Sequence, residues 1–477
     1  MDDYNDPVRP AASADGSADT FSRRIPLIVA AAFFMETLDG TIVATALPAI
    51  AQSLGEPTLD LTASITIYLV AMTVFVPTAG WASKRFDARN LFATAVAVFT
   101  LASLLCGLSP SFWALIAARL LQGVAAAFMS PVGRLVVLRE APKHQIINAI
   151  SLIVWPGLIG PVIGPPLGGF ITTYASWRWI FLINVPLGLL GVYLVLRFVP
   201  KHAREAPARF DWMGFMLTAT ALATLIYGLP LVAQGGRSLT TGGAFVALGI
   251  GCGFAAVRHA LRHPAPMLDL AAAAIPTFAL STVTAGLVAR IAISMTPFLL
   301  PLMFQIGFGA SPLEAGIMLL VYMAGNLAMK SFTTPILRRF GFRDVIRANG
   351  MLCVASLTAC GLLSPGVPAP VIYAVLFAAG MTRSMNFTSV STLAYADIPA
   401  PMRPGATTLA AMAQQAAGAV GVTAAALALG FSQTIRTGAQ LALGDFQNAL
   451  FAAAGLMAVA VLWSVRLPPD AGAELSR

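Results

Sequence analysis

The stretch 31-AAFFMETLDGTIVATALPAI-50 decides the fold and poses its central problem. Fifteen of its twenty residues are apolar, counting Gly40 and Pro48, yet Glu36 and Asp39 stand near its middle. An apolar run of about 20 residues has the length of a helix that crosses a bilayer. A carboxylate at the centre of such a run costs about 2.5–3.5 kcal/mol on insertion scales. Two acids kept there need a reason.

The rest of the chain shares this character. Of its 477 residues, 58% are hydrophobic and 10% charged, and the mean hydropathy is +0.80. Soluble domains run at about 45–50% apolar and about a quarter charged. The surplus is too large for one core and points to an all-α polytopic membrane protein. Lipid offers no partners to backbone N–H and C=O groups, so only helices or closed barrels span it. A barrel would alternate polar and apolar residues, and these runs do not.

The net charge of +9 comes from cations grouped in short clusters between apolar runs, a pattern of membrane topology and not a nucleic-acid face. Cys106, Cys252, Cys353 and Cys360 all lie inside apolar runs and read as small buried hydrophobes. The first twenty residues are polar and acidic with no apolar h-region after them, as in a cytosolic tail rather than a signal peptide.

Fourteen spans are predicted near 25–51, 60–82, 90–109, 111–135, 146–173, 178–199, 211–233, 241–260, 276–306, 313–337, 345–364, 368–392, 405–432 and 446–466. This layout puts 21 Lys and Arg on the side of the N-terminal tail, 3 on the other side and 5 within spans. Positive charge concentrates in cytoplasmic loops, so both termini are predicted cytoplasmic. The loops 80-GWASKRFDAR-89 and 334-TPILRRFGFR-343 form a weak repeat at an offset of 254 residues. Two six-helix halves then occupy 25–199 and 271–466, joined by a linker at 200–270 that carries two extra spans, with tails at 1–24 and 467–477. Half-to-half symmetry of this kind is a transporter signature, with the substrate site near midplane between the halves.

In the first span, Glu36 and Asp39 lie one turn apart and share a face. Desolvation and a neighbouring like charge both disfavour an ionised carboxylate. Such a pair can take and release a proton near neutral pH, which a proton-coupled carrier requires. In 119-RLLQG-123 of the fourth span, Arg119 cannot lose its charge and must find an anion or a water-filled cavity; Gln122 follows one turn on. Arg119 is the obvious partner of a span-1 acid. A static clamp and a modulator of proton release demand the same geometry, and both readings stand. In 157-GLIGPVIGPPLGG-169, Gly160, Gly164 and Gly168 recur every four residues and leave one face bare for a close neighbour. Pro161 and Pro165 each remove a backbone donor and bend the helix. Small-residue packing and a seal between rocking halves are the two readings of this run.

These motifs together resemble a known family. The segment 38-LDGTIVATALP-48 is similar to the first-span motif of the 14-helix drug:proton antiporter-2 family, within the major facilitator superfamily. RLLQG resembles the superfamily's fourth-span motif, and 157–169 with 176-SWRWIFLINVPLG-188 resembles the fifth-span antiporter motif and its continuation. The segment 383-RSMNFTSVSTLAYADIP-399 looks like one multidrug-exporter branch, and the likeness runs from residue 25 to about 466.

The resemblance implies an alternating-access exporter of small organic molecules, drugs or toxic compounds, in a bacterial cytoplasmic membrane. It implies no cofactor, the proton gradient being the driving force. Asp39, Glu36 and Arg119 would carry proton coupling, and Gly157, Gly160, Pro161, Gly164, Pro165, Gly168 and Gly169 the central seal. Gly80, Lys84, Arg85, Asp87 and Arg89, with Arg338, Arg339 and Arg343 in the second half, would form the cytoplasmic gate loops. Here the chain departs from the family: Lys84 stands where an acid is usual, and Asp87 where a glycine is. Either Asp87 takes over the acid's role or the gate is held elsewhere.

The embedded charges are lopsided, with Arg119, Arg290 and Arg383 at mid-depth against two acids. Gln122, Arg290, Arg383 and Asn386 are the substrate-cavity candidates. Deep arginines also suit an organic anion or a metal chelate, of citrate or siderophore type, as the alternative cargo. Helix-end or carbonyl pairing is an equal account of Arg290 and Arg383. A channel would want a continuous polar pore, and an enzyme a clustered acid/base or metal set. His144, His202, His259 and His263, all at loops or span ends, read as scattered, so no metal site is expected. No phosphate-binding loop of the G-x-x-x-x-G-K-[ST] kind is present. The expected partners are a small-molecule substrate, protons and the lipid bilayer, with no nucleic acid; the protein is expected to be a monomer, and a periplasmic adaptor is not readable from its sequence.

Overall fold

The computed structural model describes residues 23–140, 146–201, 209–234, 237–436, 440–468 and 471–472. The tails read at 1–24 and 467–477 fall largely outside these residues, and His144 and His202 fall outside them entirely.

Fourteen long helices are present among the described residues. The first six are α1 (Arg24–Leu54), α2 (Thr62–Arg85), α3 (Ala88–Gly107), α4 (Phe112–Glu140), α5 (Ile146–Tyr174) and α6 (Trp179–Phe198). A hairpin follows, α7 (Trp212–Gln234) and α8 (Arg237–Ala260). The last six are α9 (Pro276–Gly307), α10 (Pro312–Phe340), α11 (Phe342–Gly361), α12 (Ala369–Leu393), α13 (Arg403–Ile435) and α14 (Leu443–Ser464). Eleven of them are long and apolar enough to cross a membrane by length and composition. The other three are α5, α11 and α12, of 29, 20 and 25 residues. A 20-residue helix is about 30 Å long, the thickness of the hydrocarbon layer. The chain is a multi-pass membrane protein.

The helix ends follow local chemistry. Gly55, at φ 70°, closes α1 in the left-handed conformation that glycine adopts without steric cost. The Asp87 carboxylate accepts the Asn90 N–H at 3.3 Å and so caps α3. Ser311 and Glu314 form a reciprocal capping box at the start of α10.

The two six-helix sets repeat one packing scheme. In the first, α1 lies on α5 and α6, α2 on α4, and α3 on α4 and α6; in the second, α9 lies on α13 and α14, α10 on α12, and α11 on α12 and α14. Ala88 and Phe342, the starts of α3 and α11, stand 254 positions apart, the same offset as the loop repeat. Each set also staples its last helix in the same way. Arg89 of α3 donates to the Leu196 carbonyl near the end of α6, and Arg347 of α11 donates to the Val465 carbonyl just past α14. These carbonyls lack helical partners, so a guanidinium is a natural cap.

The core shows how the halves meet. On the side away from the N-terminus of α1, one apolar cluster runs through both halves, from Ile42, Leu47 and Ile50 of α1 to Leu299 and Phe304 of α9 and Leu319 of α10. On the side where α1 begins, two clusters stay apart: Phe33, Phe92 and Val136 in the first half, Met329, Phe342 and Leu393 in the second. The apolar core is continuous across the halves at the far side and divided at the tail side. The main cross-half contacts are α5 on α10 and α2 on α13, which the repeat makes equivalent, with smaller ones of α1 on α9 and α10. Helix α7 rests on α2 and α13, with Phe215 against Val70, Val74 and Ala419. The α7–α8 hairpin therefore covers this seam, turning Trp212, Tyr227 and Phe254 outward.

Candidate functional site

Asp39 is fully buried at the centre of the first half. Its Oδ2 accepts Arg119 Nη1–H at 2.6 Å, and its Oδ1 accepts from Gln122 Nε2 at 2.9 Å and Asn184 Nδ2 at 3.1 Å. Arg119, equally buried, also donates to Gln122 Oε1 at 2.6 Å and through Nε to the Ser64 carbonyl at 3.1 Å. Its guanidinium lies 4.3 Å from the centre of the Tyr68 ring. Ser103 Oγ accepts from both Gln122 and Asn184, at 2.7 and 3.3 Å. The network draws on α1, α2, α3, α4 and α6. A buried charge survives only when paired and hydrogen-bonded, and both conditions are met here.

Glu36 does not share this network. Its carboxylate accepts Ser130 O–H of α4 at 2.8 and 3.0 Å, one turn toward the tail side. It is 7% exposed, where Asp39 has no exposure. The two acids read as a pair have separate partners. Asn184, Ser103 and Ser64 were not singled out in the sequence. An asparagine within the apolar run 179-WIFLINVPLG-188 was the available signal.

The glycine stripe of α5 finds its neighbour in α1. A Cβ at Gly160, Gly164 or Gly168 would stand 2.3, 2.3 and 2.5 Å from the Oγ1 of Thr37, Thr41 and Thr45 respectively. Those hydroxyls donate back to carbonyls of their own helix, so the threonine ridge is polar yet satisfied. The stripe thus serves packing within the first half. The cross-half contact uses the adjoining face of α5: a Cβ at Gly169 would meet the Pro312 carbonyl at 2.2 Å, and one at Gly316 the Pro165 carbonyl at 2.6 Å. Pro161 lies within this helix, half-buried, and Gly157 faces open space. On the far side, Gln305 Nε2 of α9 donates to the Thr45 carbonyl at 2.9 Å and bridges the halves.

The second-half candidates are differently placed. Arg290 is nearly buried; its Nη1 donates to the Ser281 carbonyl at 2.9 Å, and its Nη2 lies 3.5 Å from Ser391 Oγ. Ser281 lies in the π-turn Ala279–Val283, where the backbone ladder is displaced. Arg290 is a clamp on that kink. Arg383 sits by a small cavity lined by Thr296, Tyr322, Cys353, Ser356 and Thr382, with its guanidinium 5.6 Å from the Tyr322 ring centre. Its Nη1 is buried without a hydrogen-bond partner, as is Thr296 Oγ1. No carboxylate lies within ion-pair reach of either arginine among the described residues. Asn386 lines a separate cavity between α9, α11, α12 and α14, beside Ser281 and Val390.

At the tail-side loops, Lys84, Arg85, Arg338 and Arg339 are exposed, Gly80 faces open space, and Arg343 is half-buried. Asp87 is buried at the start of α3 as its cap. The histidines read as scattered are corrected in part: the fold brings His259 and His263 to Asp211, with His259 Nε2 2.7 Å from Asp211 Oδ1. Separation of 48 positions along the chain hid this from sequence.

Comparison with known proteins agrees with this picture. The pattern of the Major Facilitator Superfamily matches residues 29–422 and, in a second register, 284–476. A protein of Citrobacter koseri designated multidrug resistance protein MdtD is 36% identical over 93% of this chain and 94% of its own length. Its namesake in Pectobacterium atrosepticum is 38% identical over 85% and 87%. Among solved structures, a D-xylose–proton symporter superposes with a TM-score of 0.68 at 14% identity, covering 95% of this chain and 99% of its own. A bacterial homologue of the lysosomal transporter Spinster, inward-facing and occupied, gives 0.67 at 14% identity over 94% and 97%. At such identity the structures speak to the fold. With the superfamily pattern over most of its length and relatives 36–38% identical across nearly all of it, the chain belongs to the major facilitator superfamily.

Proposed function

We propose that the protein is a proton-driven exporter of small organic molecules in a bacterial cytoplasmic membrane, with both termini in the cytoplasm. It needs no cofactor, the proton gradient supplying the driving force. The observation that carries the reading is the Asp39–Arg119 pair, a fully buried acid held by one fixed cation and two amides. A proton arriving at Asp39 cancels its attraction for Arg119 and frees α1 and α4 to shift. A protonated Asp39 also needs an acceptor. Asn184 Oδ1, buried with no hydrogen-bond partner, becomes one if its amide rotates. Glu36, nearer the tail side, is placed to relay protons between Asp39 and the cytoplasm. The named relatives favour drug-like cargo, and closure at the far side matches a carrier waiting to load from the cytoplasm.

The test is proton release from inverted vesicles on addition of a panel of cationic, zwitterionic and anionic compounds. Wild type should respond to at least one compound and Asp39→Asn to none. Equal responses would remove Asp39 from the coupling.

A second reading concerns cargo charge. Arg383, which lines a small cavity and has a buried Nη1 with no hydrogen-bond partner, favours an organic anion or metal chelate. On that reading Arg383→Gln abolishes transport of an anion and spares a cation; no change in either would leave Arg383 as scaffolding.

A further inference from the structure

The tail-side end of the α7–α8 hairpin holds a group of side chains that the transport site does not use. His259 lies in the last turn of α8 and His263 just past its end, with His263 N–H donating to the His259 carbonyl at 2.9 Å. Their rings lie 5.0 Å apart. Asp211, immediately before α7, brings a buried carboxylate to His259. One ligand atom from each of the three lies within 4.8 Å of the others.

An ion pair with Asp211 accounts for His259 alone. Among the described residues His263 has no acid of its own; its Nδ1 accepts the Ala265 N–H at 3.2 Å, which leaves Nε2 for a ligand. The Asp211 carboxylate is oriented from behind by the Gly214 N–H at 2.9 Å and the Met267 N–H at 3.1 Å. Outer contacts of this kind fix the ligands of metal sites.

We infer that Asp211, His259 and His263 form a site for a divalent transition-metal ion of the zinc or nickel type. Two imidazoles and one carboxylate suit these borderline ions, whereas calcium and magnesium prefer oxygen throughout. Tetrahedral zinc sets its ligand atoms about 3.4 Å apart, so the direct 2.7 Å contact of His259 with Asp211 must open while the separations, up to 4.8 Å, close, and the half-exposed histidines leave the fourth position to water. The bound ion ties the start of α7 to the end of α8 and to the turn at 263–267. Since Phe215 of α7 packs on α2 and α13, and Phe210 meets Trp81 edge to face at 5.0 Å, that tie stiffens the hairpin over the cross-half seam.

The test is zinc titration of the chelator-stripped full-length protein in detergent, by calorimetry and by thermal unfolding. Wild type should bind one equivalent and unfold at a higher temperature with zinc. His263→Ala should weaken binding at least tenfold and remove the zinc-dependent rise, while unfolding like wild type without metal. Absence of binding by wild type would overturn the proposal. Undiminished binding by the His259→Ala/His263→Ala double variant would overturn it too, by placing the ion elsewhere.

Discussion

Removing one charge from the Asp39–Arg119 pair should cost very different amounts depending on which partner is lost. At their 2.6 Å contact the Coulomb attraction is about 6 kcal/mol for an effective dielectric of about 20, much of it offset by desolvation. Asp39→Asn leaves Arg119 with the Ser64 carbonyl, Gln122 and the Tyr68 face, all neutral. A guanidinium cannot shed its charge, so the variant should lose the full amount for an orphaned buried ion, about 3–5 kcal/mol. Arg119→Gln instead leaves Asp39 with its two amide donors, and a stranded carboxyl can take up a proton. Its loss should be that of one charge-assisted hydrogen bond, about 1.5–3 kcal/mol. The Asp39→Asn/Arg119→Gln double variant buries no charge and should recover most of the first loss. Thermal unfolding of the purified protein in detergent at neutral pH, followed by tryptophan fluorescence, ranks the three. If Arg119→Gln is as damaging as Asp39→Asn and the double variant shows the sum of both losses, the pair does not act as one unit and the reasoning fails.

Three further outcomes follow from other contacts. Gly164→Ala drives a methyl onto Thr41 Oγ1 and should cost about 1–3 kcal/mol, and Thr41→Ala should restore it, since Oγ1 makes the one contact under 3 Å there; equal unfolding temperatures for the single and double variants would refute this. Asp211→Asn should destabilise the protein at neutral pH, but less and less in acid. A carboxyl held below its unfolded value of about 3.9 stabilises above that value and loses its contribution as pH falls through the folded one, so an unfolding difference that grew in acid would be the wrong sign. Gln305→Ala removes the far-side bridge to the Thr45 carbonyl and should raise the labelling rate of a cysteine placed at Thr45, measured against the same cysteine with Gln305 intact.

Much of the fold was open to reading because lipid forces a simple code. Each apolar run must be a helix, and the Lys and Arg clusters mark where the chain turns, so the span limits fall within a few residues of the helices. Asp39 and Arg119 could be matched from sequence because a membrane-buried acid and a membrane-buried guanidinium have few other partners. What sequence withheld was adjacency. The bare face of α5 was evident from Gly160, Gly164 and Gly168, but that it seats on Thr37, Thr41 and Thr45 depends on which helix the bundle puts beside it. Glu36 and Asp39 share a face, yet the turn between them sets one against Ser130 and the other against Arg119 at different levels of α4. For Arg290 the sequence leaves substrate contact and carbonyl pairing equal, because the π-turn whose carbonyl it clamps leaves no sequence mark.

The absence of any solvent-reachable surface on Asp39 and Arg119 bears on fidelity. A titrating group in an open vestibule would dissipate the electrochemical gradient whenever water touched it. On the proposed proton-driven reading, hydronium would gain entry only if five helices part, and their parting would itself be the transport step. Tight packing would then suppress idle leakage without a dedicated plug, so on that reading substitutions that loosen the bundle around the pair should uncouple it before they halt it.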